Sequence, residues 1–167
     1  MGRFGIDDVE DLSGVTLLPQ DREELLNNQT EATFCFARSG GWATAVVMSF
    51  VRHNGDFWFT TTNERVQATA LAVDPRVTVS VSSLGTGTAG RQCLITRGIA
   101  KVYSDRETLD EMLLVIASRL QPADPALFVK LLDSPKRVVI RVIPITVGSS
   151  HDSRRMPGDG RGGEKKA

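Results

Sequence analysis

Three consecutive threonines, Thr60, Thr61 and Thr62, followed closely by Arg65, are the residues of this chain best suited to chemistry. Hydroxyls and backbone amides donate hydrogen bonds and a guanidinium neutralises charge, so this run is a donor set for an anion such as a phosphate. The run lies where an apolar strand over residues 57–60 gives way to a helix expected over residues 65–73. The amides of a helix start add donors there. Arg65 is the single cation between Thr60 and Gln67. No other reactive arrangement can be assembled: His53 sits beside a turn and reads as solvent-facing, and neither it nor His151 forms a Ser-His-Asp, Cys-His or paired-carboxylate set. No catalytic residue is assigned. Cys35 and Cys93 lie in apolar runs with no cysteine partner nearby and read as buried free thiols, and with two histidines no metal site is expected.

The elements that must position these residues follow from pattern. Pro19 opens a short acidic-first helix with Leu25 and Leu26 inward. Residues 30–38 alternate Ala32, Phe34 and Phe36 against Thr33, Cys35 and Ala37, as a strand with one better-buried face does. Residues 43–52 form a second strand, apolar on both faces and therefore central or facing a partner. Asn54-Gly55 closes a hairpin onto residues 57–60. After the helix ended by Pro75, residues 76–84 make a strand with Val77, Val79 and Val81 on one face. Residues 92–103 make another, bent at Gly98. Ser104 and Glu107 have capping-box spacing before a helix striped by Leu109, Met112, Leu113, Ile116 and Leu120. A short helix over residues 126–132 precedes a closing strand, residues 137–147, whose Pro144 requires an edge or a bulge.

The fold expected is mainly β: a six-stranded antiparallel split β-barrel with connecting helices. Residues 1–18 are expected to be irregular, residues 19–148 to form the domain, and residues 149–167 to be a disordered tail with little to bury. With 41% apolar residues and 20 basic against 20 acidic side chains, the chain suits one domain and makes no electrostatic case for nucleic acid or an anionic membrane. No apolar run approaches the roughly 20 residues that span a bilayer. A cytoplasmic protein is expected.

The strand-turn-strand through Thr62, the run Leu71-x-x-Asp74-Pro75-Arg76-Val77, the strand Gly98-x-Ala100-x-Val102 and the closing Arg137-Val138-Val139-Ile140 together resemble the pyridoxamine 5′-phosphate oxidase-like family of flavin-binding split barrels. The resemblance implies a homodimer with FMN at the interface. It places the cofactor phosphate at Thr60, Thr61, Thr62 and Arg65, and runs Met48, Ser49 and Phe50 along the ring and ribityl chain. Gln92 is a further candidate contact. Family members commonly carry a lysine where this chain has Gln67, so one phosphate cation is replaced by an amide. Trp42 and Trp58 would lie near the groove, as core or interface residues rather than cofactor stacks.

Three functions remain open: an FMN-dependent oxidoreductase acting on a small redox substrate, a reductase using the deazaflavin coenzyme F-420, and a non-catalytic flavin-binding protein. The run from Arg65 to Val77 also resembles the deazaflavin branch. The absence of an identifiable acid or base favours the third.

Overall fold

The computed structural model describes residues 13–156. Beyond a single helical turn at Ser13–Val15 the order is α1 (Pro19–Asn28), β1 (Glu31–Ala37), β2 (Ala43–His53), β3 (Asp56–Thr62), α2 (Val66–Leu71), β4 (Arg76–Ser82), β5 (Gln92–Tyr103), α3 (Arg106–Leu120), α4 (Pro125–Leu132) and β6 (Arg137–Asp152). All strand pairs are antiparallel, and the order β1-β2-β3-β6-β5-β4 closes on itself through β1 and β4. The expected six-stranded barrel with peripheral helices is what forms. Closure satisfies strand edges that would otherwise expose unpaired amides.

Alternation decides the interior. Phe34, Phe50, Phe59, Val79 and Val81 are at most 1% exposed, and Leu25 and Leu26 of α1 cap this cluster. Burial of each such side chain contributes roughly 1.5–3 kcal/mol. A second cluster lies outside the barrel, where Leu109, Met112, Leu113 and Ile116 of α3 pack on Val51, Trp58 and Val139. The α3 stripe is thus used as its spacing predicts. Its cap is Asp105, which accepts from the Thr108 amide at 2.9 Å, rather than the expected Ser104 and Glu107 pair. The nearer carboxylate wins because it reaches the third amide of the turn directly.

Gly98 marks a bulge, with register shifts at Ile95/Thr96 and Arg97/Gly98. A Cβ there would meet the Ile143 carbonyl oxygen at 2.6 Å, so only glycine fits, and Pro144 sits opposite it.

The closing strand corrects the sequence expectation. It continues past residue 147 to Asp152, followed by a helical turn Ser153–Arg155, so residues 149–156 are not a disordered tail. Asp152, 1% exposed, accepts from Gln92 Nε2 at 3.3 Å and from Arg154 Nη2 at 2.6 Å, and Arg154 reaches Asp21 at 3.0 Å. The Arg91 amide donates to Ser153 Oγ at 2.7 Å. This segment is held by ladder pairing and polar contacts, which an apolar pattern does not report. The rest of the expected tail, and residues 1–12, lie outside the described residues. Cys35 and Cys93 are likewise half-buried rather than buried, because each points to the outer side of its strand.

The barrel is open at two places. β2 pairs with β3 only from Phe50/Phe59 to His53/Asp56, and β3 pairs with β6 only from Phe57/Val142 to Thr62/Arg137. Residues 43–49 of β2 therefore diverge from residues 60–62 of β3, and residues 143–152 of β6 run on without β3.

Candidate functional site

The first opening is a groove of about 700 Å³ between β2 and β3. Residues 46–49 of β2 form one side, and Thr60, Thr61, Thr62, Glu64, Arg65 and Gln67 form the other. Leu120 of α3 and Phe128 and Leu132 of α4 give it an apolar wall. Because β2 and β3 have separated here, the β3-facing edge of residues 46–49 carries no β3 partner. Such an edge offers backbone donors and acceptors to a bound molecule.

The threonines lie within β3 rather than after it, and Arg65 is the N-terminal flanking residue of α2. Arg65 is exposed, and its guanidinium has no hydrogen bond or ion pair among the described residues. Gln67, by contrast, is buried, with Nε2 donating to Thr61 Oγ1 at 3.1 Å. The amide that stands in the lysine position is thus turned onto the strand.

Strand pairing adds a residue that the sequence placed in the closing strand with no role at the site. Thr62 pairs with Arg137, which lines the groove. Arg137 donates from Nε to the Leu132 carbonyl, and Nη1 lies 3.5 Å from Thr60 Oγ1. Burial holds this guanidinium below its usual range, and Asp133 offsets that only in part. No carboxylate is ion-paired to it among the described residues. Glu64, the one acidic residue lining the groove among the described residues, is paired with Lys136 instead. The signal that could have found Arg137 is the pairing of the closing strand, which single-strand periodicity does not contain.

Of the candidate residues, the structure brings together Met48, Ser49, Thr60, Thr61, Thr62, Arg65 and Gln67. It does not bring Phe50 or Gln92 to the groove. Phe50 is 1% exposed in the barrel interior, tilted against Phe57 and Phe59. Gln92 is buried beside Asp152. Trp58 packs in the second core with Arg141 over its ring, while Trp42 is 78% exposed in the β1–β2 turn. The Asp74-Pro75-Arg76 run is a local turn: Asp74 Oδ1 accepts from the Arg76 amide at 3.0 Å and from its Nε at 2.9 Å, and these bonds lower the Asp74 pKa to about 2. Among the described residues no cluster of histidine, cysteine and carboxylate could hold a metal, and no helix is long and apolar enough to cross a membrane.

No family model matches the chain, and no curated protein matches it by sequence. Solved structures do match. A conserved hypothetical protein from Mycobacterium tuberculosis superposes with a TM-score of 0.73 at 18% identity, over 91% of this chain and 96% of that one. A putative pyridoxamine 5′-phosphate oxidase from Listeria innocua gives 0.60 at 17% identity, over 78% and 95%. An F-420 reductase gives 0.56 at 21% identity, over 75% and 94%. The chain thus has the split-barrel fold of the pyridoxamine 5′-phosphate oxidase-like proteins.

Proposed function

We propose that the groove binds a phosphate-bearing flavin, FMN in the first instance, and that the chain is an oxidoreductase acting through it. The observation that carries this reading is the convergence of Thr60, Thr61, Thr62, Arg65 and Arg137 at the β2/β3 opening, with neither arginine paired to a carboxylate among the described residues. Such a donor set fits a phosphate dianion. The unpaired β2 edge at residues 46–49 would hold the polar edge of the ring system, and Leu120, Phe128 and Leu132 would cover it and exclude water. When bound, the flavin supplies the two-electron chemistry, which the groove's own side chains lack.

The deazaflavin coenzyme F-420 is the second reading, supported by the run from Arg65 to Val77 and by the structural likeness to an F-420 reductase. We further propose a homodimer. The outward side of β2 presents exposed Ala43, Ala45 and Val47 beside the groove, and exposed Ile143 and Ile145 lie on β6, a face suited to a second copy.

Titration with FMN, riboflavin and coenzyme F-420, followed by absorbance, tests the cofactor. Saturable binding of FMN, tighter than that of riboflavin, is expected, and indifference to all three would remove the reading. Sedimentation should show a dimer at micromolar concentration, and a monomer with cofactor present would overturn that proposal.

A further inference from the structure

The second opening, between β3 and the extension of β6, leads to a cavity of about 330 Å³ that the proposed cofactor does not use. Its origin is topological. β3 begins at Asp56, β6 runs on past Val142 with only β5 beside it, and α1 lies across the gap. Two arginines enter from different elements. Arg22 stands one turn before buried Leu26 on α1, so it shares the inward face of that helix. Arg52 follows Phe50 by two residues on β2, so it extends the barrel's interior face beyond the barrel's mouth.

Both arginines line the cavity, and each has a buried Nε–H with no acceptor among the described residues. Those Nε groups are closed off by the protein, so what a ligand in the cavity meets are the terminal nitrogens of two partly exposed guanidiniums. Arg52 spends one terminal nitrogen on Glu23 at 2.6 Å, whereas the Arg22 side chain has no ion pair among the described residues. Two guanidiniums against one carboxylate leave a single positive charge. Below them the lining is apolar, from Leu26, Phe57, Leu94 and Val147, with Thr96 adding a hydroxyl.

We propose that this cavity is a second binding site, for a small monocarboxylate with a compact apolar body. A planar carboxylate presents two acceptor oxygens, which match guanidinium donors arriving from two directions. A phosphate dianion would meet Glu23 and the apolar lining, which an aromatic or short aliphatic body instead fills. The volume lies at the small end of the range for ligand pockets.

The test uses the intact protein with benzoate, hexanoate and, as the uncharged isostere, benzamide. Benzoate and hexanoate should bind saturably and shift the methyl resonances of Leu26, Leu94 and Val147, with benzamide at least about tenfold weaker. Arg22→Met, which keeps the apolar stem, should weaken benzoate by about tenfold while leaving FMN titration unchanged. The proposal is overturned if neither carboxylate binds saturably at millimolar concentration, if benzamide binds equally well, if the shifts lie elsewhere, or if Arg22→Met binds benzoate as the parent does.

Discussion

The two openings of the barrel are closed in opposite ways. At the β3/β6 opening, α1 buries Leu25 and Leu26 in the barrel and is tied to its surroundings by Arg52–Glu23 and Arg154–Asp21. At the β2/β3 opening, α4 has no buried residue, turns Phe128 and Leu132 to the groove, and leaves Leu127 and Leu131 exposed. The plugged end buries two leucines and encloses the smaller space, about 330 Å³ against about 700 Å³. The other end is roofed by a helix with no buried residue and faces two arginines without carboxylate partners among the described residues. Elements with few buried contacts open at low free-energy cost, which suits the wall of a ligand groove better than α1 would.

That contrast breaks most severely at Gly98. Gly98→Val would drive a side chain into the Ile143 carbonyl and the Val142 side chain, costing roughly 3 kcal/mol and disordering the β6 extension before the β2/β3 groove. Denaturant unfolding measures it, and a parent-like midpoint would mean that the bulge is dispensable.

Next in size are the groove cations. Arg65→Ala and Arg137→Gln should each remove a charge-assisted contact of roughly 1.5–3 kcal/mol, lowering FMN affinity about tenfold or more. Riboflavin affinity should hardly change in Arg65→Ala. Arg137→Gln should also lower stability, since Arg137 ties Leu132 of α4 to Thr60. Calorimetric titration of both ligands separates the two effects.

Deleting everything after Ser150 probes the plugged end. It removes Asp152, Ser153 and Arg154 and leaves Gln92 unpartnered in the core, for a loss of roughly 2 kcal/mol, or a melting temperature lower by about 4–8 °C. FMN binding should survive. The same contacts are acid-sensitive. Burial of Asp152 pushes its carboxyl up, but bonds from Arg154 and Gln92 outweigh it and the net pKa is lowered. The folded state therefore binds this proton less readily than the unfolded chain. Its contribution is full above the ordinary carboxylate range and is lost as pH falls through the lowered value. Acid titration of the parent against the truncated protein checks the sign.

The smallest effect is expected from Gln67→Lys. It adds a cation beside Arg65 and should tighten FMN binding by less than Arg65→Ala weakens it, more so at low salt. A stability cost should accompany it, because the Gln67 amide is buried on Thr61. Equal FMN affinity at low and high salt would show that residue 67 does not face the phosphate.

Much of the fold was legible because its elements are locally encoded. Asn54, at φ 53°, and Gly55, at φ 85°, make the hairpin that their residue types demand. The alternation in β1 and the stripe on α3 bury the sides they predict. The Thr60-to-Arg65 donor set was legible for the same reason, being contiguous. Arg137 and the cavity at Arg22 and Arg52 were not, since each joins residues far apart in the chain through pairing or helix docking. Residues 149–156 were missed because polar satisfaction holds them, and Gln92 was misplaced because its partner, Asp152, lies in that segment.

By itself the sequence determined the class of fold, the order of its elements and one contiguous run of hydroxyl, amide and guanidinium donors, all of which follow from short-range periodicity, turn chemistry and residue type. Only the tertiary structure decided where the closed barrel opens, because that depends on how far each strand outruns its neighbour. It also decided which distant cations meet at each opening, since a guanidinium's partners are set by the sheet register and helix docking that no local pattern contains.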